Sequence, residues 1–148
     1  MPTTTPLPTR KRRPWWPRLV WIVLILGAYP AVVLTYTWSH VLQSSLPGGR
    51  HGPLDAYRHT LASAVVAYTL DARAVRLVNR VMEGRGKRAN AMDIHNNLIG
   101  AAIGSRVTPF SDIEPSVTRS VAAGRVDAPS PGQTTWLPPD EWKDGFAW

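Results

Sequence analysis

The arrangement of apolar and polar positions changes once along the chain, near residue 39. From Leu19 to Trp38 the sequence LVWIVLILGAYPAVVLTYTW runs for twenty residues with no charge. It has no polar stripe of the kind a soluble core helix shows. As a helix it extends about 30 Å, the hydrocarbon thickness of a bilayer. Trp15, Trp16 and Trp21 mark one end and Tyr36 and Trp38 the other, where amphipathic rings favour the headgroup boundaries. The pattern therefore predicts a transmembrane helix over 19–38, with Pro30 at mid-span as a kink that membrane helices tolerate.

After residue 38 the period shortens to that of amphipathic helices. Residues 39–52 end in LPGGRHG and read as a linker. Pro53 suits a first helical turn, and helical spacing runs from Leu54 to Thr69. Asp71 can cap a second helix, Ala72 to Met82, and Asn90 a third, Ala91 to Ile103. Ser111-Asp112-Ile113-Glu114 has capping-box spacing for a short fourth helix to Ala123, stopped by Gly124. No segment alternates with period two. The expected fold is all-α: one membrane helix, a bundle of three to four helices over 53–124, and an extended Trp/Pro-rich tail over 125–148. A domain of roughly 70 residues is near the lower limit for an independent core. It should lean on the membrane helix, on the tail or on a partner chain, a second copy included.

Charge sharpens this organisation. The chain carries 17 basic and 10 acidic residues, a net +7, and no cysteine. Arg10, Lys11, Arg12, Arg13 and Arg18 precede the first acid, leaving twelve basic and ten acidic residues beyond residue 40. The folded part is thus nearly balanced, which argues against nucleic acid as a partner. A one-sided basic cluster predicts that residues 1–18, Thr/Pro-rich and disordered, lie in the cytoplasm, with 39–148 across the inner membrane in the periplasm. A cleaved signal peptide is the competing reading. The apolar run is long for one, and no Ala-x-Ala follows it. Arg12-Arg13 before Pro14-Trp15-Trp16 bears a faint likeness to a twin-arginine signal. Without cysteine there is no disulfide framework and no thiolate chemistry.

Two stretches carry the polar chemistry, LDAYRHTLA over 54–62 and MDIHNNLIG over 92–100. At about 100° per residue, Asp55, Arg58, His59 and Ala62 share one helix face, and Asp93, Asn96, Asn97 and Gly100 share another. The offsets agree: Asp at i, polar groups at i+3 and i+4, a small residue at i+7. Small residues let two backbones approach, which would gather two carboxylates, one Arg, one His and two amides at one locus. Buried charges need partners, because an unpaired one costs several kcal/mol. The leading reading is a structural network, with Arg58 on Asp93 or Asp55 and Asn96 and Asn97 bonding across helices. A second makes His59 a general base, oriented by Asp55 or Asp93 and activating water. A third lets Asp55, His59, Asp93 and Asn97 share a metal, although this donor set selects no particular ion. No cofactor and no metal is assigned. His95 falls nearly opposite Asp93 and reads as a core or interface histidine, and His40 and His51 lie in linker regions. Ser63 lacks an oxyanion hole, no phosphate loop, nucleophile elbow or HExxH occurs, and the basic run from Arg85 to Arg88 reads as a solvated loop that could touch anionic headgroups.

The segments GPLDAYRHTLASAVVAY and NAMDIHNNLIGAAIG together resemble a bacterial domain family with Asp-Ala-(Phe/Tyr)-Arg-His and Met-Asp-x-His-Asn-Asn-x-x-Gly motifs. Related domains occur at the ends of large secreted or polymorphic-toxin-like proteins. The resemblance covers about residues 52–104, and its pattern positions are Asp55, Arg58, His59, Asp93, His95, Asn96, Asn97 and Gly100. It implies a small helical domain of envelope or secreted proteins and carries no activity over. In this chain the domain follows an apolar anchor and no long stalk.

The sequence is thus read as a single-pass membrane protein of the bacterial envelope whose helical domain serves as a structural or interaction module. The alternative is a hydrolase acting on lipid or cell-wall material, with His59 as general base.

Overall fold

A computed structural model describes residues 15–83, 88–127 and 130–143. The protein is mostly helical. Five helices follow in order: α1 (Trp16–Val41), α2 (Pro53–Thr69), α3 (Ala72–Glu83), α4 (Arg88–Gly104) and α5 (Ile113–Ala122). Two two-residue strands, β1 (Arg125–Val126) and β2 (Thr135–Trp136), pair in parallel. The chain divides into two compact units between Ala31 and Val32.

Helix α1 is long and apolar enough, over Leu19–Val41, to cross a membrane. In the first unit Trp15, Trp16, Trp21, Ile22 and Val23 are all more than half exposed. The helix outruns the predicted span at both ends, starting at Trp16 and ending at Val41.

In the second unit, the last three turns of α1 are part of the fold. Val33, Thr37 and Val41 recur every four residues and are all buried, as one stripe of a helix requires. At the centre, Leu61 of α2 and Ile113 and Val117 of α5 have no exposed surface. Small residues set the spacing of α2 and α4. A Cβ at Gly100 would lie 2.2 Å from the Thr60 carbonyl oxygen, and one at Gly104 would lie 2.1 Å from that of Ala64. Only hydrogen fits there, so the two backbones touch.

Several local expectations change. Asp71 does cap α3, accepting from the Arg73 amide at 2.7 Å. Asn90, expected as a cap, lies inside α4, which begins at Arg88. The capping box at Ser111 does not form. Phe110–Asp112 make a 3-10 turn, and Asp112 enters α5 without a side-chain cap bond. The segment read as a linker is tied down, with Leu54 N–H on the Pro47 carbonyl at 3.1 Å and Arg50 paired antiparallel to Lys143. Trp142 lies against Gly48 and Gly52 and donates its indole N–H to the Leu137 carbonyl at 2.7 Å.

Candidate functional site

The N-terminus of α2 builds the first half of the site. With Gly52 before it and Pro53 as its first residue, α2 has no side-chain N-cap. Asp55 sits in the first turn instead, where the orphan amides and the helix dipole favour negative charge. It reaches back to accept the His51 backbone N–H at 2.7 Å, a bond of the capping-box kind. Its other oxygen takes a short charge-assisted bond from Arg58, one turn on. Asp55 is only 3% exposed, so this pairing is what makes its burial tolerable. The Arg58 guanidinium in turn stands over the Trp38 ring at 5.8 Å, linking the site to the buried end of α1.

Across the α2–α4 contact, the His59 ring completes the group. Its Nε2 lies 3.5 Å from Asp55 Oδ1, 3.5 Å from Asp93 Oδ1 and 3.3 Å from Arg58 Nη2. Asp93 Oδ1 is buried and finds no hydrogen-bond partner among the described residues. Burial, reinforced by the charge of Asp55, raises the Asp93 carboxyl to about 7. Burial lowers His59, opposed by Asp55 and helped by Arg58, while a hydrogen bond donated by the ring to Asn97 pulls the other way. Both shifts favour one arrangement near neutrality, with the ring neutral and the proton on Asp93. His59 and Asp93 keep about one-fifth of their side-chain surface in solvent (20% and 18%), so this edge of the site is reachable.

The ligand atoms of Asp55, His59 and Asp93 lie within 4.8 Å of one another, close enough to share a cation. The Arg58 guanidinium already supplies positive charge to two of those three atoms.

The six residues expected at the locus do not all meet there. Asp55, Arg58, His59 and Asp93 do. Asn97 borders them, accepting from Ser63 Oγ at 2.8 Å and donating to Asn79 Oδ1 at 2.9 Å, so α2, α3 and α4 are joined by one buried chain of hydrogen bonds. Asn96 turns away. It receives the Thr135 N–H at 3.0 Å and donates to the Thr135 carbonyl at 2.8 Å, fastening β2 as a neighbouring strand would. His95 bonds the Gln133 carbonyl oxygen at 2.8 Å, outside the locus as its helix position implied.

His51 was passed over in the sequence and belongs to the site. It has left-handed backbone, φ 66°, unusual for a residue with a side chain. Its ring Nδ1, 3.8 Å from Asp55, is buried without a hydrogen-bond partner among the described residues, and burial lowers its pKa. Left-handed backbone beside a polar cluster makes His51 a candidate member of the site. The sequence signal was an acid in the first turn of a helix with an uncapped Gly-Pro start.

A groove on the same unit, lined by His40, Ser44, Tyr57 and Glu114, contains none of these residues. Tyr57 donates to Glu114 at 2.9 Å there, and burial raises its pKa. The basic loop read as solvated ends in an engaged residue, since Arg88 pairs with both Asp127 and Glu141. Compared with protein-family models, curated proteins and solved structures, the chain matches none.

Proposed function

We propose that this chain is a single-pass envelope protein, N-terminus cytoplasmic, whose periplasmic helical domain carries a hydrolytic acid–base site acting on lipid or cell-wall material. One observation carries the reading. His59 Nε2 stands 3.5 Å from two carboxylates, one buried in charge-assisted bonds and the other with an unpartnered buried oxygen and a pKa of about 7. Environments that push two carboxylates to different tasks are how acid and base roles are divided at neutral pH. In this scheme neutral His59 takes a proton from water as the water oxygen attacks the scissile bond. Protonated Asp93 gives its proton to the leaving group, and His59 then returns the proton to Asp93, so that water is added across the bond and the site is restored. Asp55, Arg58 and His51 orient the ring and balance its charge. The apolar α1 supports a substrate at or beside the membrane.

The second reading, a structural or interaction module, draws on the Ser63–Asn97–Asn79 chain, which satisfies each buried amide it touches. Full-length protein in detergent, offered ester-linked phospholipid and purified cell wall in turn, separates the two. Hydrolysis of either by the wild type, lost in His59→Ala and Asp93→Asn while their melting temperatures hold, supports the enzyme. No hydrolysis, together with cooperative loss of stability in both variants, leaves the module.

A further inference from the structure

Among the described residues, helix α3 uses one face in the fold. Val75 joins Ala67 and Ala101 in a buried cluster, and Asn79 is held by Asn97. On the far side Leu77, Val78 and Val81 are 64%, 56% and 73% exposed, and Leu70, just before the helix, is 59% exposed. At about 100° per residue, positions 74, 77, 78 and 81 form one contiguous stripe. Arg73, Arg76 and Arg80, all exposed, form a second stripe along its edge. The helix holds one acid, Glu83 at its last residue, against these three arginines. An apolar stripe bordered by arginines on an otherwise docked helix is the pattern of a segment lying in the plane of a membrane surface.

We infer that α3 docks on the anionic surface of the bilayer, its leucine and valine stripe among the acyl chains and its arginines on lipid phosphates. Two observations choose this occupant over a second copy of the chain. The helix carries three arginines against a single acid, so a twofold copy would set two net positive charges together, whereas anionic headgroups answer that charge directly. The second is position. Tyr36 of α1, one turn from Val32, stacks edge-on with Phe110 at 5.3 Å, and Phe110 with Tyr68 at 5.4 Å. The α2–α3 corner with Leu70 therefore lies near the turns of α1 that hold Tyr36. Docking would make the domain lie on the lipid surface and keep the site's position relative to the surface fixed. The inference rests on the reading of α1 as a membrane anchor.

The natural lack of cysteine allows a direct test. Single variants Leu77→Cys, Val81→Cys and, as a solvent control, Asp140→Cys are labelled with a fluorophore in the full chain. They are reconstituted into phosphatidylcholine vesicles with and without phosphatidylglycerol, and quenched by nitroxide-bearing lipid. The expected result is quenching at 77 and 81 several-fold above that at 140, stronger with phosphatidylglycerol and reduced when Arg73, Arg76 and Arg80 are all replaced by Gln. Protein that floats with vesicles yet shows equal quenching at all three sites overturns the docking alone. Protection at 77 and 81 that rises with protein-to-lipid ratio assigns the face to a second copy and overturns it as well. Protein that does not float overturns the anchor and the docking together.

Discussion

At the residue scale, the opposed shifts of Asp93 and His59 give the site a pH signature. Asp93 titrates at about 7 in the folded protein against an ordinary 3.8. Between those values the folded chain holds a proton that the unfolded chain has released, so its contribution to stability declines as pH rises through that window. His59 is shifted the other way, below 6.5. The unfolded ring takes up a proton first on acidification, and stability declines as pH falls below 6.5. The two effects oppose each other in mildly acid solution. Asp93→Asn removes one and leaves the other, so its melting temperature should fall as pH is lowered from about 7.5 to about 4.5. His59→Gln should show the reverse trend, a rise over the same range. Thermal scans of the detergent-solubilised protein check both, and slopes of equal sign in the two variants would refute the pairing. Asp55 with Arg58 and His59 was legible in the sequence because all three lie on a single helix at i, i+3 and i+4. His51 was not, because its place depends on a left-handed backbone and on a hydrogen bond from Leu137 N–H to its carbonyl at 2.9 Å, 86 residues away in sequence.

At the scale of elements, the α2–α4 contact positions the chemistry. Gly100→Ala would drive a methyl group into the Thr60 carbonyl oxygen, and since backbone cannot swing aside, a loss of about 1–3 kcal/mol is expected. Gly132→Ala, with nothing within 4 Å, is the matched control and should be near neutral. Denaturant midpoints of the two variants measure the difference. The helices themselves were readable from 3.6-residue spacing and from Gly and Pro punctuation, and Gly100 from its place on the polar face. What Asn96 does was hidden. Its offset from Asp93 matches that of Arg58 from Asp55, but its partner is an extended segment 39 residues on, whose path no periodicity announces. Asn96→Ala would leave the buried N–H and C=O of Thr135 without those bonds, at about 1–3 kcal/mol. It should also speed proteolytic cleavage between residues 130 and 143, with little effect on helix content by circular dichroism. Unchanged cleavage would show that β2 is held by other contacts.

At the scale of the molecule, one continuous helix serves two roles. Trp16 and the run from Leu19 to Val23 are apolar and exposed, while Val33, Thr37 and Val41 belong to the folded core. The proposed topology predicts that a reporter active only outside the cytoplasm, fused after Trp148, is on, and that a cytoplasmic reporter at the same place is off. The opposite pattern would reverse the orientation. The bond between His51 and Leu137 and the pairing of Arg50 with Lys143 have a consequence for how the protein is made. Synthesis runs from the N-terminus, so α2 and α4 exist well before the strap that holds His51 in place. A nascent chain that has passed Asp93 but not reached Leu137 carries Asp55, His59 and Asp93 without the clamp on the turn that feeds Asp55 its backbone bond. Assembly of the cluster is thereby tied to synthesis of the strap: products that end before Leu137 have the polar groups without the clamp, and those that reach Lys143 have both.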